Sequence, residues 1–200
     1  MTAVGWPVVL LDGDLRLRPL RRRDQDAWME LRQRNAGWLD PWDATSPVPV
    51  SGPRPSFGAF VRTLASQARA GTTLPFAIDL AGELVGQLTV SSITYGSLRS
   101  ASIGYWVSEH VAGRGITPTA VALATDHCFR VLRLHRVEIN IRPENRPSLR
   151  VVEKLGFRDE GVRERFLHIQ DRWCDHRTFA LTVEDIPEGL LSRWRSRSVG

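Results

Sequence analysis

The sequence predicts an α/β sandwich on a mixed, mostly antiparallel central sheet of about seven strands flanked by helices. Three observations carry this. Two apolar runs, 75–80 and 84–93, flank Ala81-Gly82-Glu83, a hairpin signal. A strand at 102–108, a helix from Pro118 to about 132 and a strand at 135–142 have the order of a crossover between strands. Past Gly156, strand-like runs at 157–169 and 172–183 complete the pattern.

In chain order, the first strand covers 14–20 and a helix runs from about 24 to 35. A loop rich in Pro and Trp extends through 55, and a second helix spans 56–70. After the hairpin, a turn from Tyr95 to Ser100 leads into the strand at 102–108. The helix from 118 carries Val121, Ala124, Cys128 and Leu132 at spacings of three or four, a stripe that faces a core. Asn145-Arg146-Pro147 opens a short helix that stops at Gly156. Both termini read as flexible, and residues 1–200 read as one domain with its core at about 14–184.

The link between 102–108 and the next helix, His110-Val111-Ala112-Gly113-Arg114-Gly115-Ile116-Thr117-Pro118, has the chemistry of an anion site. Gly113 and Gly115 let the backbone turn and approach a bulky group, and Thr117-Pro118 reads as an N-cap followed by the first helical residue. The unpaired N–H groups of a first turn, with the positive end of the helix dipole, attract phosphate. Pro118 has no N–H, so the donors are expected from Ala112 through Thr117. A plain turn into a core helix accounts for the same glycines. The spacing matches neither a dinucleotide fingerprint nor a nucleotide-hydrolysing phosphate loop.

Composition narrows the class. With 42% hydrophobic residues the chain has enough apolar side chains for a core. No apolar run reaches the roughly 18 residues of a bilayer span, and the amino terminus lacks a basic region followed by an apolar stretch, so a cytoplasmic location is expected. Cys128 and Cys174 lack metal-ligand spacing, and Cys128 lies on the apolar side of its helix as a core thiol. The net charge of +5 and pI near 10.2 invite a nucleic-acid reading. Arg21-Arg22-Arg23 and Arg193-Trp194-Arg195-Ser196-Arg197 are short and separated, however, with no nucleic-acid module, and read better as solvated surface.

Several motifs together carry a resemblance. Behind the glycine loop come Asn145-x-x-Ser148 and Leu155-Gly156-Phe157. Ahead of it stand Leu15-Arg16-Leu17-Arg18-Pro19-Leu20, Asn35-x-x-Trp38-Leu39-x-Pro41-Trp42 and Gly104-Tyr105-Trp106-Val107. His135-Arg136-Val137-Glu138, Gly161-Val162-Arg163-Glu164 and Trp173-x-Asp175-His176 follow. In this order the chain resembles the GNAT family of N-acetyltransferases, and within it the RimJ/RimL branch of ribosomal-protein N-terminal alanine acetyltransferases, from Leu15 to Leu181.

The resemblance implies a GNAT sheet splayed between its fourth and fifth strands, here 102–108 and 135–142, with chemistry near Val107 and Ile141. It implies acetyl-CoA as co-substrate, held by Val107, Val111, Ala112, Gly113, Arg114, Gly115, Ile116, Thr117, Asn145 and Ser148, with no metal. Ser148 is the expected proton donor to the departing thiolate, although serine is also common in a first helical turn for structural reasons. A tyrosine used for this role elsewhere in the family is replaced here by Val152. A glutamate that serves some members as base is replaced by Asn140. RimL-type members use a glutamate on the sixth strand, and the resemblance implies Glu164, within a residue or two of that place, as the base, with an exposed carboxylate paired to Arg163 or Arg165 as the other reading. Glu138 and Glu109 are weaker candidates, and His135 and His176 read as hydrogen-bonded structural residues. Trp38, Trp42 and Tyr105 are the expected substrate wall, and packing of the two tryptophans on the sheet is equally compatible. Tyr105 and Trp106 face opposite sides of a strand, so at most one is expected to line the cleft.

The implied activity is acetyl transfer to a protein N-terminal α-amine, a ribosomal protein being the candidate acceptor, by a monomer or homodimer without a membrane or a dedicated nucleic-acid site. A small-molecule amine acceptor and a ribosome-associated, acetyl-CoA-binding assembly module remain open.

Overall fold

Phe76 and Ile78 pack into one apolar cluster while Ala77 between them packs into another, so their strand is covered on both faces. This alternation organises the computed structural model, which describes residues 6–48 and 55–198. The first sheet elements are β1 (Leu10–Asp12), β2 (Leu15–Pro19), β3 (Leu74–Leu80), β4 (Glu83–Thr94) and β5 (Ser100–Val107). β6 (Arg136–Ile141), β7 (Arg158–Ile169) and β8 (Arg172–Thr182) complete one sheet in the order β1-β2-β3-β4-β5-β6-β8-β7. Eight strands stand where about seven were expected. The addition is β1, whose three residues are too short to show alternation and which becomes a strand by pairing with Leu15–Leu17.

Helices α1 (Gln25–Arg34), α2 (Ala36–Leu39) and α3 (Phe57–Arg69) precede β3, α4 (Ile116–Arg130) links β5 to β6, and α5 (Arg146–Leu155) links β6 to β7. The smaller cluster joins Leu31 of α1 and Val61 of α3 to Ala77 and Leu84. The larger one places Val121, Ala124 and Cys128 of α4 against the other face, as the apolar stripe predicts. Burial pushes the Cys128 thiol up to about 12, which suits a core residue. The hairpin turn is built by Ala81 and Gly82, at φ 52° and 93°.

Two features create an opening. Every partner of β5 and β6 lies in one short parallel stretch, Ser100–Ser102 against Arg136–Glu138, and beyond it the strands part while β6 stays paired with β8. The implied splay is therefore present. On the other side, β5 lies tight against β4: a Cβ at Gly86 would fall 2.3 Å from the Trp106 carbonyl oxygen. Only glycine admits that approach.

The expected loop after residue 35 begins as helix. Asn35 donates from Nδ2 to the Leu31 carbonyl (2.8 Å) and to Ser108 Oγ (2.9 Å), anchoring the chain to the end of β5. Pro41 then suits the start of a 3-10 turn at Asp40–Trp42. Part of this expected loop, residues 49–54, lies outside the described residues.

The carboxyl-terminal expectation needs correction as well. Residues 1–5 and 199–200 lie outside the described residues, but α6 (Leu190–Ser198) is a helix. The Asp126 carboxylate accepts the N–H groups of Leu190 (2.7 Å) and Leu191 (3.1 Å), and Trp194 Nε1 donates to Thr119 Oγ1 (2.9 Å). Arg193 donates to the Leu155 carbonyl, and Arg197 to that of Lys154. These arginines serve the end of α5, where carbonyls lack helical partners. Asp126→Ala is expected to destabilise the protein by about 0.5–2 kcal/mol, the range of a lost helix cap. Urea unfolding checks this, together with faster hydrogen exchange at the Leu190 and Leu191 amides.

Candidate active site

The entry to α4 is built differently from its sequence reading. Gly115, at φ 79° and ψ −1°, is the N-cap, and Thr117 and Pro118 lie inside the first turn. A left-handed cap is natural for glycine, and proline is tolerated in a first turn because its missing N–H would have had no helical partner. Ala112 spends its N–H on the Glu109 carbonyl (2.9 Å), so it is not a free donor. The N–H groups of Gly113 through Thr117 take no backbone acceptor among the described residues. Of these residues Gly113, Gly115, Ile116 and Thr117 border a cavity of ≈ 420 Å³, together with Val107, Val111 and Ala112. Arg114 is exposed and does not border it.

The positive charge at this cavity comes instead from Arg150 and Lys154 of α5, which the sequence reading missed. Their four-residue spacing on the helix opened by Asn145 was the available signal. Asn145 caps that helix, its Oδ1 accepting the Ser148 N–H (3.1 Å). Its Nδ2 takes no hydrogen-bond partner among the described residues.

At the other end, Trp38 and Trp42 lie four residues apart on successive helical turns, and both border the cavity. Trp38 Nε1 donates to the Val107 carbonyl (3.2 Å), and the Arg142 guanidinium stacks on Trp42, 5.6 Å from the ring centroid. Trp106 also borders the cavity beside Tyr105, contrary to the expectation that at most one would. The two pack into different apolar clusters, as strand neighbours must, but the cavity follows the open end of β5 and meets both.

A second lobe of ≈ 210 Å³ reaches between β5 and β6. It shares Trp42, Gly104, Tyr105, Asn145 and Ser148 with the first and adds Ile141, Asn140, Arg142 and His176. Where the lobes meet, Ser148 Oγ donates to the Tyr105 hydroxyl at 2.9 Å. Burial raises the Tyr105 pKa, outweighing the hydrogen bond from Ser148, which lowers it, so the phenol stays protonated at neutral pH. Such a pair can donate a proton to a leaving group, and the sequence offered no sign of the contact because its partners are 43 residues apart.

The carboxylates are elsewhere. Glu164 is exposed on a bulged part of β7 and borders neither lobe. It is not paired with Arg163 either, since that guanidinium binds Glu138 (2.9 Å), which also accepts from Arg136 (2.8 Å). Asn140 Oδ1 accepts from Thr178 Oγ1 (2.8 Å). Glu109 is exposed, and His135 pairs with Glu184 at 3.1 Å.

Residues 14–158 match the family model described as Acetyltransferase (GNAT) domain. A solved structure, "Mycobacterium smegmatis RimJ in complex with CoA-disulfide", superposes with a TM-score of 0.89 at 38% identity, covering 96% of each chain. The Probable N-acetyltransferase YjcK of Bacillus subtilis is 38% identical over 102 residues, 51% of this chain and 56% of that protein. The [Ribosomal protein uS5]-alanine N-acetyltransferase of Escherichia coli is 31% identical over 107 residues, 54% of this chain and 55% of that protein. The chain thus spans about half the length of these two relatives.

Proposed function

The chain belongs to the GNAT acetyltransferase family, and on that premise we propose that it moves the acetyl group of acetyl-CoA to the N-terminal α-amine of a protein. Attack is direct, with both substrates bound in the two-lobed cavity and residues 1–200 acting as one domain. The observation that carries this reading is the Ser148–Tyr105 hydrogen bond at the junction of the lobes, with Gly113, Gly115, Ile116 and Thr117, whose N–H groups take no backbone acceptor among the described residues, bordering the larger lobe. These donors, with Arg150 and Lys154, suit the phosphates of acetyl-CoA. The splayed edge of β5 suits its extended amide arm, with the Asn145 amide as a further donor.

Charge favours a peptide acceptor. Among the described lining residues the charged side chains are Asp43, Arg142, Arg150 and Lys154, and Asp43 is already paired with Arg32. A polyamine would meet no free carboxylate here, whereas a peptide N-terminus brings one amine and neutral amides. Its amine, with a pKa of about 7.7 to 8.0, is partly neutral at physiological pH, unlike lysine at about 10.4. The names of the RimJ neighbour and the uS5-alanine relative support a ribosomal protein as acceptor. That substrate implies a cytoplasmic setting. No described helix is long and apolar enough to cross a membrane.

As Ser148 Oγ turns its hydrogen from Tyr105 to the departing thiolate, the Tyr105 hydroxyl becomes the donor of their shared hydrogen bond and resupplies the serine. Intact-mass analysis of ribosomal proteins and a panel of small amines, each incubated with acetyl-CoA and the protein, tests the reading. One added acetyl on one protein N-terminus is expected. Gly113→Glu, which places a carboxylate at φ 80° beside the phosphate donors, is expected to remove it. Acetylation confined to small amines overturns the acceptor assignment.

A further inference from the structure

No carboxylate identified from the sequence as a candidate base reaches the junction of the lobes, because Glu164 borders neither lobe and Glu138 is held by Arg136 and Arg163. The side chain on β8 that does border the second lobe is an imidazole. We infer that Nε2 of His176 accepts the proton shed by the acceptor amine, a role that rests on the acetyl-transfer reading above.

The tautomer follows from one hydrogen bond. His176 Nδ1 lies 3.0 Å from the Cys174 carbonyl oxygen, which can only accept, so Nδ1 carries the hydrogen and Nε2 of the neutral ring bears a lone pair. Nε2 has no hydrogen-bond partner among the described residues. The ring packs against Phe166 in a T-shaped contact, with centroids 5.7 Å apart. The second lobe also contains Tyr105 and Ser148, so the proton-donating pair and the imidazole border one space. An amine entering it lies between a group that can supply a proton and a group that can take one.

The surroundings keep the ring neutral. Burial lowers the His176 pKa, and Arg142 adds to the effect, while the Cys174 carbonyl, Asp175 and Glu144 oppose it. Arg163 of β7 is the register partner of His176, but its guanidinium is turned to Glu138 and lies over Phe166. Arg177 follows on β8 and pairs with Asp159, and across the lobe stands Tyr105, protonated at neutral pH. β6 borders the lobe with Ile139, Asn140 and Ile141 and adds no charge.

The step balances without another reactant. The amine nitrogen bonds to the carbonyl carbon, the nitrogen gives one proton to His176 Nε2 directly or through one water, and the carbon–sulfur bond breaks as Ser148 protonates the sulfur. Histidine returns its proton to solvent and Tyr105, having resupplied Ser148, takes one from solvent, which leaves an amide, free CoA thiol and the enzyme in its starting protonation state.

The test uses acetyl-CoA and an alanyl tetrapeptide amide as probes and compares wild type, His176→Gln and the distant His135→Gln. For His176→Gln, kcat is expected to fall about 10²- to 10⁴-fold, the range for loss of a general base, with KM for acetyl-CoA unchanged. The acidic limb of the kcat–pH profile should disappear with it, and His135→Gln should retain both rate and limb. A His176→Gln protein that keeps the wild-type kcat and its acidic limb overturns the inference and leaves acetyl transfer standing. Should this variant not fold, His176→Asn, whose amide can still donate to Cys174, replaces it. Nitrogen-15 NMR of the acetyl-CoA-loaded protein at pH 7 decides independently of any acceptor. An unprotonated Nε2 supports the role and a protonated one overturns it, even if wild type acetylates no peptide and the acceptor reading itself falls.

Discussion

Ser148→Ala is expected to lower kcat for acetyl transfer by about 10²- to 10⁴-fold, with acetyl-CoA affinity and folding stability nearly unchanged. The structure separates the two readings of this serine. Asn145, not Ser148, caps α5, and what it accepts is the backbone N–H of residue 148, which alanine retains. Only the hydroxyl is lost, and its contact is the Tyr105 hydroxyl at 2.9 Å. A structural serine would reveal itself in the melting curve; a proton donor should appear in kcat. Tyr105→Phe is the companion variant, removing the group that resupplies the serine, so its kcat should also fall. Steady-state kinetics with calorimetric titration of acetyl-CoA checks both. A Ser148→Ala protein with wild-type kcat would show that the thiolate leaves without help from this residue.

Arg18→Met is expected to have the largest effect on stability, a loss of about 3–5 kcal/mol by urea unfolding, the range for breaking a buried ion pair from one side. The Arg18 side chain is 14% exposed and stands between Asp24 and Asp79, at 8% and 7%. Nε donates to Asp79 (3.0 Å), while Nη1 and Nη2 make a fork to the two oxygens of Asp24 (2.9 and 3.1 Å). Methionine fills much of the space but leaves two buried carboxylates facing each other. Arg16, 3.9 Å from Asp79 and half exposed, compensates only in part. Arg18→Lys keeps the charge without the fork and should fall between. The network ties β2 and β3 to the turn that starts α1, so its loss also loosens the segment leading to Trp38.

Much of the fold is legible in residue order because its causes are local. Ala81-Gly82 specifies a hairpin, and the stripe Val121, Ala124, Cys128, Leu132 specifies the buried side of α4. Asn145 and Gly156 mark the ends of α5 by their own chemistry. Glycines around Arg114 likewise marked a tight turn into α4, though the helix starts at Ile116, with left-handed Gly115 as its cap and Thr117 inside the first turn. Failures cluster where a distant partner decides. Leu10–Asp12 is a strand because β2 lies beside it. Residues 190–198 form a helix because Asp126, more than 60 positions earlier, accepts its first N–H groups.

The candidate site divides along the same line. The glycine loop, Asn145, Ser148 and the tryptophans of the 35–42 segment were marked by residue type and spacing, since backbone approach, capping and aromatic surface are properties of short segments. The meeting of Ser148 with Tyr105, the supply of positive charge by Arg150 and Lys154, the removal of Glu164 to an exposed bulge and the placement of His176 on the second lobe were decided by the packing of strands and helices. Alternation along a strand says which face a side chain takes, but not what stands opposite. Sheet order, register and bulges, which are long-range, supply that answer.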